Sequence, residues 1–406
     1  MAMSASTHDS SNHVLGDLSI ETFLRDYWQK KPVLIRGAFP DFETPISPEE
    51  LAGLACEADA PSRLILEHGD ERDWRMKMGP FTEDDFRALP DDGYSLLVTD
   101  CEKLVPELME VVERFRFVPD WRIDDLMISY APPGGSVGAH IDDYDVFLLQ
   151  AHGRRRWQIE NPPVHTAYRE GLDVRILTDF TPTDEWVLEP GDMLYLPPGI
   201  PHHGVALDDC MTWSIGFRAP TQADLVGGVC DRLATLAPEV RYRDPDLSPS
   251  DNPGELDPAT RQRLREWVLE AMTADANQLD RLIAETLTER PVDHADLYPR
   301  YHEEEIVGIL DHLHEISELQ RTPASRWLLL EPVADSGGDD PGHLCIDGQS
   351  HELDAESLPL ARLLTQHVHV SGEALAERAS NASARILLEK ILTAGQLLIP
   401  DEDEQD

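Results

Sequence analysis

The sequence predicts a mainly β core with flanking helices, then a helical region, then a small α+β domain. Three observations predict it. Up to about residue 220, short runs of β-branched, aromatic and aliphatic residues alternate with Gly- and Pro-rich turns, the pattern of a barrel or jelly roll. From 221 to 320, apolar residues recur at three- and four-residue spacing. From 321 to 400, two strand-like runs precede two helix-like ones. At 406 residues the chain exceeds one ordinary domain. The expected boundaries are 19–220, 221–320 and 321–400, behind a polar tail of residues 1–18.

Ser47-Pro48-Glu49-Glu50 is a capping box with proline at the first helical position, and it predicts a helix to about residue 58. Strands are expected at 63–67, 94–99, 125–131, 146–150, 155–159, 174–177, 193–196 and 211–217. In the middle region the periodicity predicts helices at 261–273, 277–288 and 304–316. A helical insert of this kind more often makes a dimer interface than a catalytic site, so a homodimer is expected through it. The last region has strands at 326–332 and 344–346 and helices at 358–366 and 382–394, a winged-helix-like order. Lacking a basic recognition helix, it reads as a structural or protein-contact module. Residues 401–406 are an acidic end.

Asp and Glu number 78 against 34 Lys and Arg, for a net charge of −44. Only five of the cations are lysines, and the acids spread through every segment. Acid carried on all faces suits hydration in a salt-loaded cytoplasm better than it marks one site, although an acidic surface also attracts basic partners. No basic stripe exists to meet phosphates, so nucleic-acid binding is not expected. No run approaches about 18 apolar residues, and the first 17 residues lack the apolar core of a signal peptide. Cys56, Cys101, Cys210, Cys230 and Cys345 form neither a CxxC pair nor a disulfide framework, which suits a reducing cytoplasm.

The chemistry-bearing pattern is His140-Ile141-Asp142 with Pro201-His202 62 residues beyond His140. Two imidazoles and a carboxylate can hold one face of an octahedral ion and leave the other open, as non-haem Fe(II) enzymes that activate O2 require. On a strand His140 and Asp142 would share a face. His202 and His203 are neighbours on an extended chain and point apart, so only one can ligate. The context is ordered: a turn at Gly134, Gly135 and Gly138, then Val146-Phe147-Leu148-Leu149, then the cluster Gly153-Arg154-Arg155-Arg156-Trp157. A Pro190-Gly191 turn launches Met193-Leu194-Tyr195-Leu196, and Pro197-Pro198-Gly199 precedes the histidine. Arg155 shares Trp157's face, while Arg154 and Arg156 share the other.

These residues resemble the jumonji-type 2-oxoglutarate oxygenases of the double-stranded β-helix, or cupin, fold. Within that group they are most similar to the bacterial ribosomal oxygenases, which hydroxylate an arginine of the sixteenth large-subunit ribosomal protein. The resemblance is strongest from Asp120-Trp121-Arg122 to Gly216-Phe217-Arg218-Ala219-Pro220 and weakens towards the C-terminus. Tyr27-Trp28-Gln29-Lys30-Lys31-Pro32 also looks like the family's entry segment.

The resemblance implies Fe(II) on His140, Asp142 and His202, since the family's ligand directly follows the proline. It implies 2-oxoglutarate and O2 as cosubstrates, with the distal carboxylate of 2-oxoglutarate on Arg155, where a fixed guanidinium fork gives bidentate pairing. Many jumonji enzymes have lysine there; arginine is the ribosomal variant. Ser129 and Ser214 are candidates to give hydroxyls to the same cosubstrate. Asp143, Tyr144 and Asp145 are candidates to receive a cationic substrate side chain near the metal. Trp121, Trp157 and Trp213 read as core. The expected substrate is a basic, arginine-containing ribosomal protein. Alternatives are a jumonji-type demethylase, a hydroxylase of another protein residue, and a non-catalytic metal-binding cupin. A cupin isomerase would want His-x-His, which Ile141-Asp142 does not supply.

Overall fold

The computed structural model describes residues 14–68, 73–237, 239–245, 252, 254–273, 275–290, 298, 300–332 and 341–400. Most of the expected polar tail and the acidic end lie outside the described residues. The chain divides into two compact units between Ala219 and Pro220.

Unit 1 contains α1 (Ile20–Asp26), β1 (Val33–Ile35), α2 (Pro48–Leu54), β2 (Ser62–His68), β3 (Asp73–Met78), α3 (Glu83–Arg87), β4 (Tyr94–Val98), α4 (Cys101–Leu104), α5 (Met109–Glu113), β5 (Ile123–Ala131), β6 (Asp145–His152), β7 (Arg155–Ile159), β8 (Asp184–Leu188), β9 (Met193–Leu196), β10 (His202–Ala206) and β11 (Cys210–Phe217). Eight strands form one antiparallel sheet in the order β1-β9-β6-β11-β5-β4-β2-β3, and β10-β7-β8 form a second. Alternation on β6 explains the layers. Val146 and Leu148 meet Trp157, Ile159 and Leu188 of the second sheet. Phe147 and Leu149 face the other way, into a core with Phe23 of α1, Leu51 of α2 and Phe115. A strand covered on both faces reads as an unbroken apolar run, and β6 and β9 do.

The capping box opens α2 as expected: Glu50 N–H donates to Ser47 Oγ at 3.2 Å and Ser47 N–H to Glu50 Oε2 at 2.7 Å. The helix ends four residues earlier than predicted. The expected strand at 174–177 does not form. Its one ladder contact is a bridge from Leu177 to Tyr168, in a long strap between β7 and β8. Strands β1, β3, β8 and β10 were not anticipated, being short or largely polar on one face.

Unit 2 contains α6 (Gln222–Leu236), α7 (Pro258–Thr273), α8 (Ala276–Thr288), α9 (Glu303–Asp311), β12 (Glu318–Arg321), β13 (Trp327–Leu330), β14 (Gly342–Ile346), β15 (Gln349–Leu353), α10 (Leu358–Gln366), β16 (His369–Ser371), α11 (Gly372–Arg378), α12 (Ala382–Thr393) and β17 (Leu397–Leu398). Its strands form the sheets β16-β12-β17 and β13-β14-β15. Residues on both sides of position 320 share one core. Helix α8 packs on β13–β15, and α9 buries Ile306 and Leu310 in one core with Leu388, Ile391 and Leu392 of α12. An amphipathic helix goes where its apolar stripe is covered, and α9 finds that cover in the C-terminal part. No helix among the described residues is long and apolar enough to cross a membrane. All five cysteines are free.

Candidate active site

His140 and His202 face each other in an isolated antiparallel bridge, exchanging N–H···O=C bonds of 3.0 and 2.9 Å. Directly opposed residues in such a pair project to the same side, so both imidazoles enter the same space. Their ring centroids are 4.2 Å apart. Each Nδ1 lies 2.9 Å from a backbone carbonyl two residues earlier, Gly138 for His140 and Ile200 for His202. A carbonyl can only accept, so the proton sits on Nδ1 and each Nε2 lone pair is free. Those Nε2 atoms lie 3.9 and 3.5 Å from the two carboxylate oxygens of Asp142.

Asp142 is in a loop, not on the expected strand; Gly199 N–H donates to its carbonyl at 2.9 Å. Upstream, Gly138 has φ +81°, and a Cβ there would stand 2.4 Å from Ile176 Cδ1, so the turn into His140 requires glycine. Ligand atoms of all three side chains lie within 4.8 Å of one another. Burial, reinforced by the neighbouring His140, pushes the His202 imidazole down to about 4, so it stays neutral and ready to ligate. Two neutral nitrogens and a carboxylate on one side fit a divalent ion with open positions.

Arg155 opens β7, between Leu188 of β8 and Ala206 of β10. As expected it shares Trp157's face, with its guanidinium 5.7 Å from that ring's centroid. It is 2 % exposed, and neither Nε nor Nη2 has a partner among the described residues. An uncompensated buried cation is costly, so this position calls for an anion. Arg155, the triad, Ser129, Ser214 and Thr212 line one cavity of about 290 Å³, otherwise walled by side chains such as Met127, Val146 and Leu148. Ser129 Oγ donates to the Thr212 carbonyl at 3.2 Å. Thr212 was not anticipated; its hydroxyl donates to Gln150 at 3.1 Å, and its place two residues before Ser214 on β11 was the available signal.

The chain is 34 % identical over 378 residues to the ribosomal protein uL16 3-hydroxylase of Escherichia coli, covering 92 % of this chain and 95 % of that one. The chain belongs to the JmjC-domain ribosomal oxygenases. Residues 110–225 match the JmjC domain. A probable ribosomal oxygenase of Haemophilus influenzae is 42 % identical over 234 residues, 57 % of this chain and 55 % of that protein. Among solved structures, Escherichia coli YcfD superposes with a TM-score of 0.81 at 32 % identity, covering 94 % of this chain and 98 % of that chain. The same ribosomal oxygenase in complex with cobalt and 2-oxoglutarate gives 0.76 over the same shares.

In this oxygenase the acidic run beside the triad scatters. Tyr144 lines the cavity. Asp143 lies at the surface, 3.3 Å from Arg175 Nη1. Asp145 corrects the sequence reading. It is fully buried and accepts hydrogen bonds from Tyr195 Oη (2.6 Å), Gln29 Nε2 (2.9 Å) and Arg122 Nη2 (3.1 Å). As the first residue of β6 it takes the phase of Phe147 and Leu149, away from the cavity. His203 also points elsewhere: its Nε2 is 3.0 Å from Ser136 Oγ, and its ring meets Phe180 edge-on.

Proposed function

We propose that this oxygenase uses Fe(II), O2 and 2-oxoglutarate to hydroxylate an arginine side chain of a large-subunit ribosomal protein. One observation carries the cosubstrate: a buried guanidinium with no counter-charge among the described residues shares a cavity with a facial His/Asp/His set. The ribosomal target is supported by the relative named as a uL16 3-hydroxylase.

His140, Asp142 and His202 would hold the metal from one side. Arg155 would pair with the distal carboxylate of 2-oxoglutarate and so fix which end of the cosubstrate reaches the metal. Ser129 and Ser214 supply nearby hydroxyls, and Met127, Val146 and Leu148 give the cavity an apolar side. The bound metal supplies the oxidative chemistry: O2 is split between 2-oxoglutarate, which leaves as succinate and CO2, and a substrate C–H bond, which becomes C–OH. Tyr144 at the cavity and Asp143 at the surface are the acidic run's remaining candidates to meet a cationic side chain.

The partner is a basic protein rather than nucleic acid, in keeping with a net charge of −44. A ribosomal substrate places the reaction in the cytoplasm. Residues 221–320 serve as a homodimer contact, because no residue of α7 is buried and Trp267, Val268 and Leu269 are exposed on it. Residues 321–400 read as a winged-helix-like contact module.

The test is mass spectrometry of purified uL16 after incubation with enzyme, Fe(II), 2-oxoglutarate and air. The expected product is one oxygen heavier, with the gain mapped to an arginine. Gain on another residue type, or loss of a methyl group, overturns the arginine assignment.

A further inference from the structure

Residues 161–183 form a strap between β7 and β8 that supplies Asp173, Val174 and Arg175 to the cavity wall. Glu160, 1 % exposed, holds both of its ends. Its carboxylate accepts from the backbone N–H groups of Val164 (2.6 Å), His165 (2.7 Å) and Thr181 (2.9 Å), and from His165 Nδ1 (2.7 Å). The strap then meets the metal loop three times. Leu177 N–H donates to the Ala139 carbonyl at 2.8 Å, and Tyr168 Oη reaches the Ile141 carbonyl at 3.4 Å. The third contact is Arg175 with Asp143, the residue after the metal ligand Asp142.

That third contact differs from the others. Both side chains are largely exposed, 64 % for Arg175 and 78 % for Asp143, so the ion pair is weak and exchangeable. The guanidinium also lies 4.5 Å from the centroid of the Tyr168 ring. A carboxylate and an aromatic face are the chemistry with which proteins receive a cationic side chain from outside. Here the chain fills that seat with an arginine of its own, beside the cavity that holds the triad.

We propose that Arg175 is a resident stand-in, and that a cationic side chain of the substrate polypeptide, flanking the hydroxylated residue, displaces it from Asp143. The proposal rests on the ribosomal-protein reading above and adds a second point of recognition outside the cavity. Exchange leaves the strap in place, because Glu160 and the Leu177 contact hold it independently. Asp173, exposed and without a cationic partner among the described residues, gives the released guanidinium a carboxylate two residues away. A neutral flanking residue has no charge with which to compete, so the pair selects basic substrates.

The experiment measures binding of purified uL16 to the full chain loaded with Fe(II) and 2-oxoglutarate under argon, where no turnover occurs. Arg175→Gln removes the competitor and should tighten Kd about twofold to fivefold, the worth of an exposed ion pair. The gain should vanish when Asp143→Asn is also present, and in about 1 M salt, where the Debye length falls to about 3 Å. An unchanged or weaker Kd for Arg175→Gln overturns the exchange, as does a gain that survives Asp143→Asn. Hydroxylation of uL16 by the wild-type protein in air separates the two levels. If uL16 is hydroxylated but Arg175→Gln does not tighten binding, only the exchange fails; if uL16 is neither bound nor hydroxylated, the proposal falls with the reading beneath it.

Discussion

Two short runs of like charge stand beside the cavity of unit 1, and the protein treats them differently. Arg154, Arg155 and Arg156 enter β7, where strand phase decides each fate. Arg154 turns out to pair with Asp208 at 2.8 Å, Arg155 turns inward without a counter-charge among the described residues, and Arg156 is half-buried. Asp142, Asp143 and Asp145 lie in or just after a loop that makes no ladder until Asp145 opens β6. Two fates are set in the loop, where Asp142 faces the two imidazoles and Asp143 meets Arg175; only Asp145 follows strand phase, locked under Arg122. Neither run works as a patch. Arg154, Asp143 and Asp145 each meet a separate counter-charge, and one member of each run, Arg155 or Asp142, is left for a ligand of opposite sign.

The largest break in this comparison comes at the metal. His202→Ala should abolish 2-oxoglutarate consumption, because three donors on one side become two. His203→Ala should retain turnover, since its imidazole is engaged with Ser136. The reverse outcome would mean that the bridge between His140 and His202 does not set the ligand.

Within the acidic run, Asp145→Ala should cost about 3–5 kcal/mol of unfolding free energy, because it strands the Arg122 charge and two further donors. Asp143→Ala should stay within about 0.5 kcal/mol, as exposed sites do. Denaturant midpoints measure both. Equal costs would erase the distinction between the loop and the strand that follows it.

Within the basic run, Arg155→Ala should raise the KM for 2-oxoglutarate at least about thirtyfold, the lower end of losing a buried charge partner. Arg154→Ala should leave that KM unchanged. Stability sharpens the contrast. Without cosubstrate, removing a partnerless buried cation should not destabilise the fold, whereas 2-oxoglutarate should raise the Tm of the wild type and not of the variant. A variant still stabilised by 2-oxoglutarate would place the anion elsewhere.

The same contrast governs what could be read from the chain alone. Arg155 was legible because β7 alternates, and period two assigns a face without knowledge of the fold. The triad was legible as chemistry but not as geometry. His140 and Asp142 converge through an isolated bridge and a turn, neither of which has a period. Asp145 misled because proximity in sequence to Asp142 suggested proximity at the site, while the start of β6 reversed its side. Residues 174–177 have strand composition, yet Val174 and Ile176 are buried against Ile65, Trp74 and Leu97 as part of the strap. In unit 2, α7 to α10 and α12 were visible in the sequence while α6 and α11 were not, and α9 carries no mark of which core it joins. That choice depends on long-range cover, which propensity does not encode.

Glu160 provides the smallest and last test, at the far end of β7 from Arg155. It is a carboxylate buried as deeply as that guanidinium, yet its oxygens have hydrogen-bond donors, whereas Arg155 Nε and Nη2 have no acceptor among the described residues. Burial works to raise its pKa, but hydrogen bonds from His165 and the backbone N–H groups of His165, Thr181 and Val164 win, holding it at about 2 against an ordinary 4.5. A depressed carboxylate stabilises the fold above its unfolded value and loses that contribution as pH falls through its folded one. The Glu160 contribution should therefore be complete above about pH 4.5 and decay from there towards pH 2. The His165 imidazole is raised above its ordinary 6.5 by the hydrogen bond to Glu160. Its contribution has the opposite sense, complete below 6.5 and lost as pH rises through the folded value. The stability advantage of the wild type over Glu160→Gln should thus be greatest between about pH 4.5 and 6.5 and decline on both sides. Urea midpoints of the two proteins across pH 2 to 9 would show it, and an advantage independent of pH would mean that the strap is held by its backbone contacts alone.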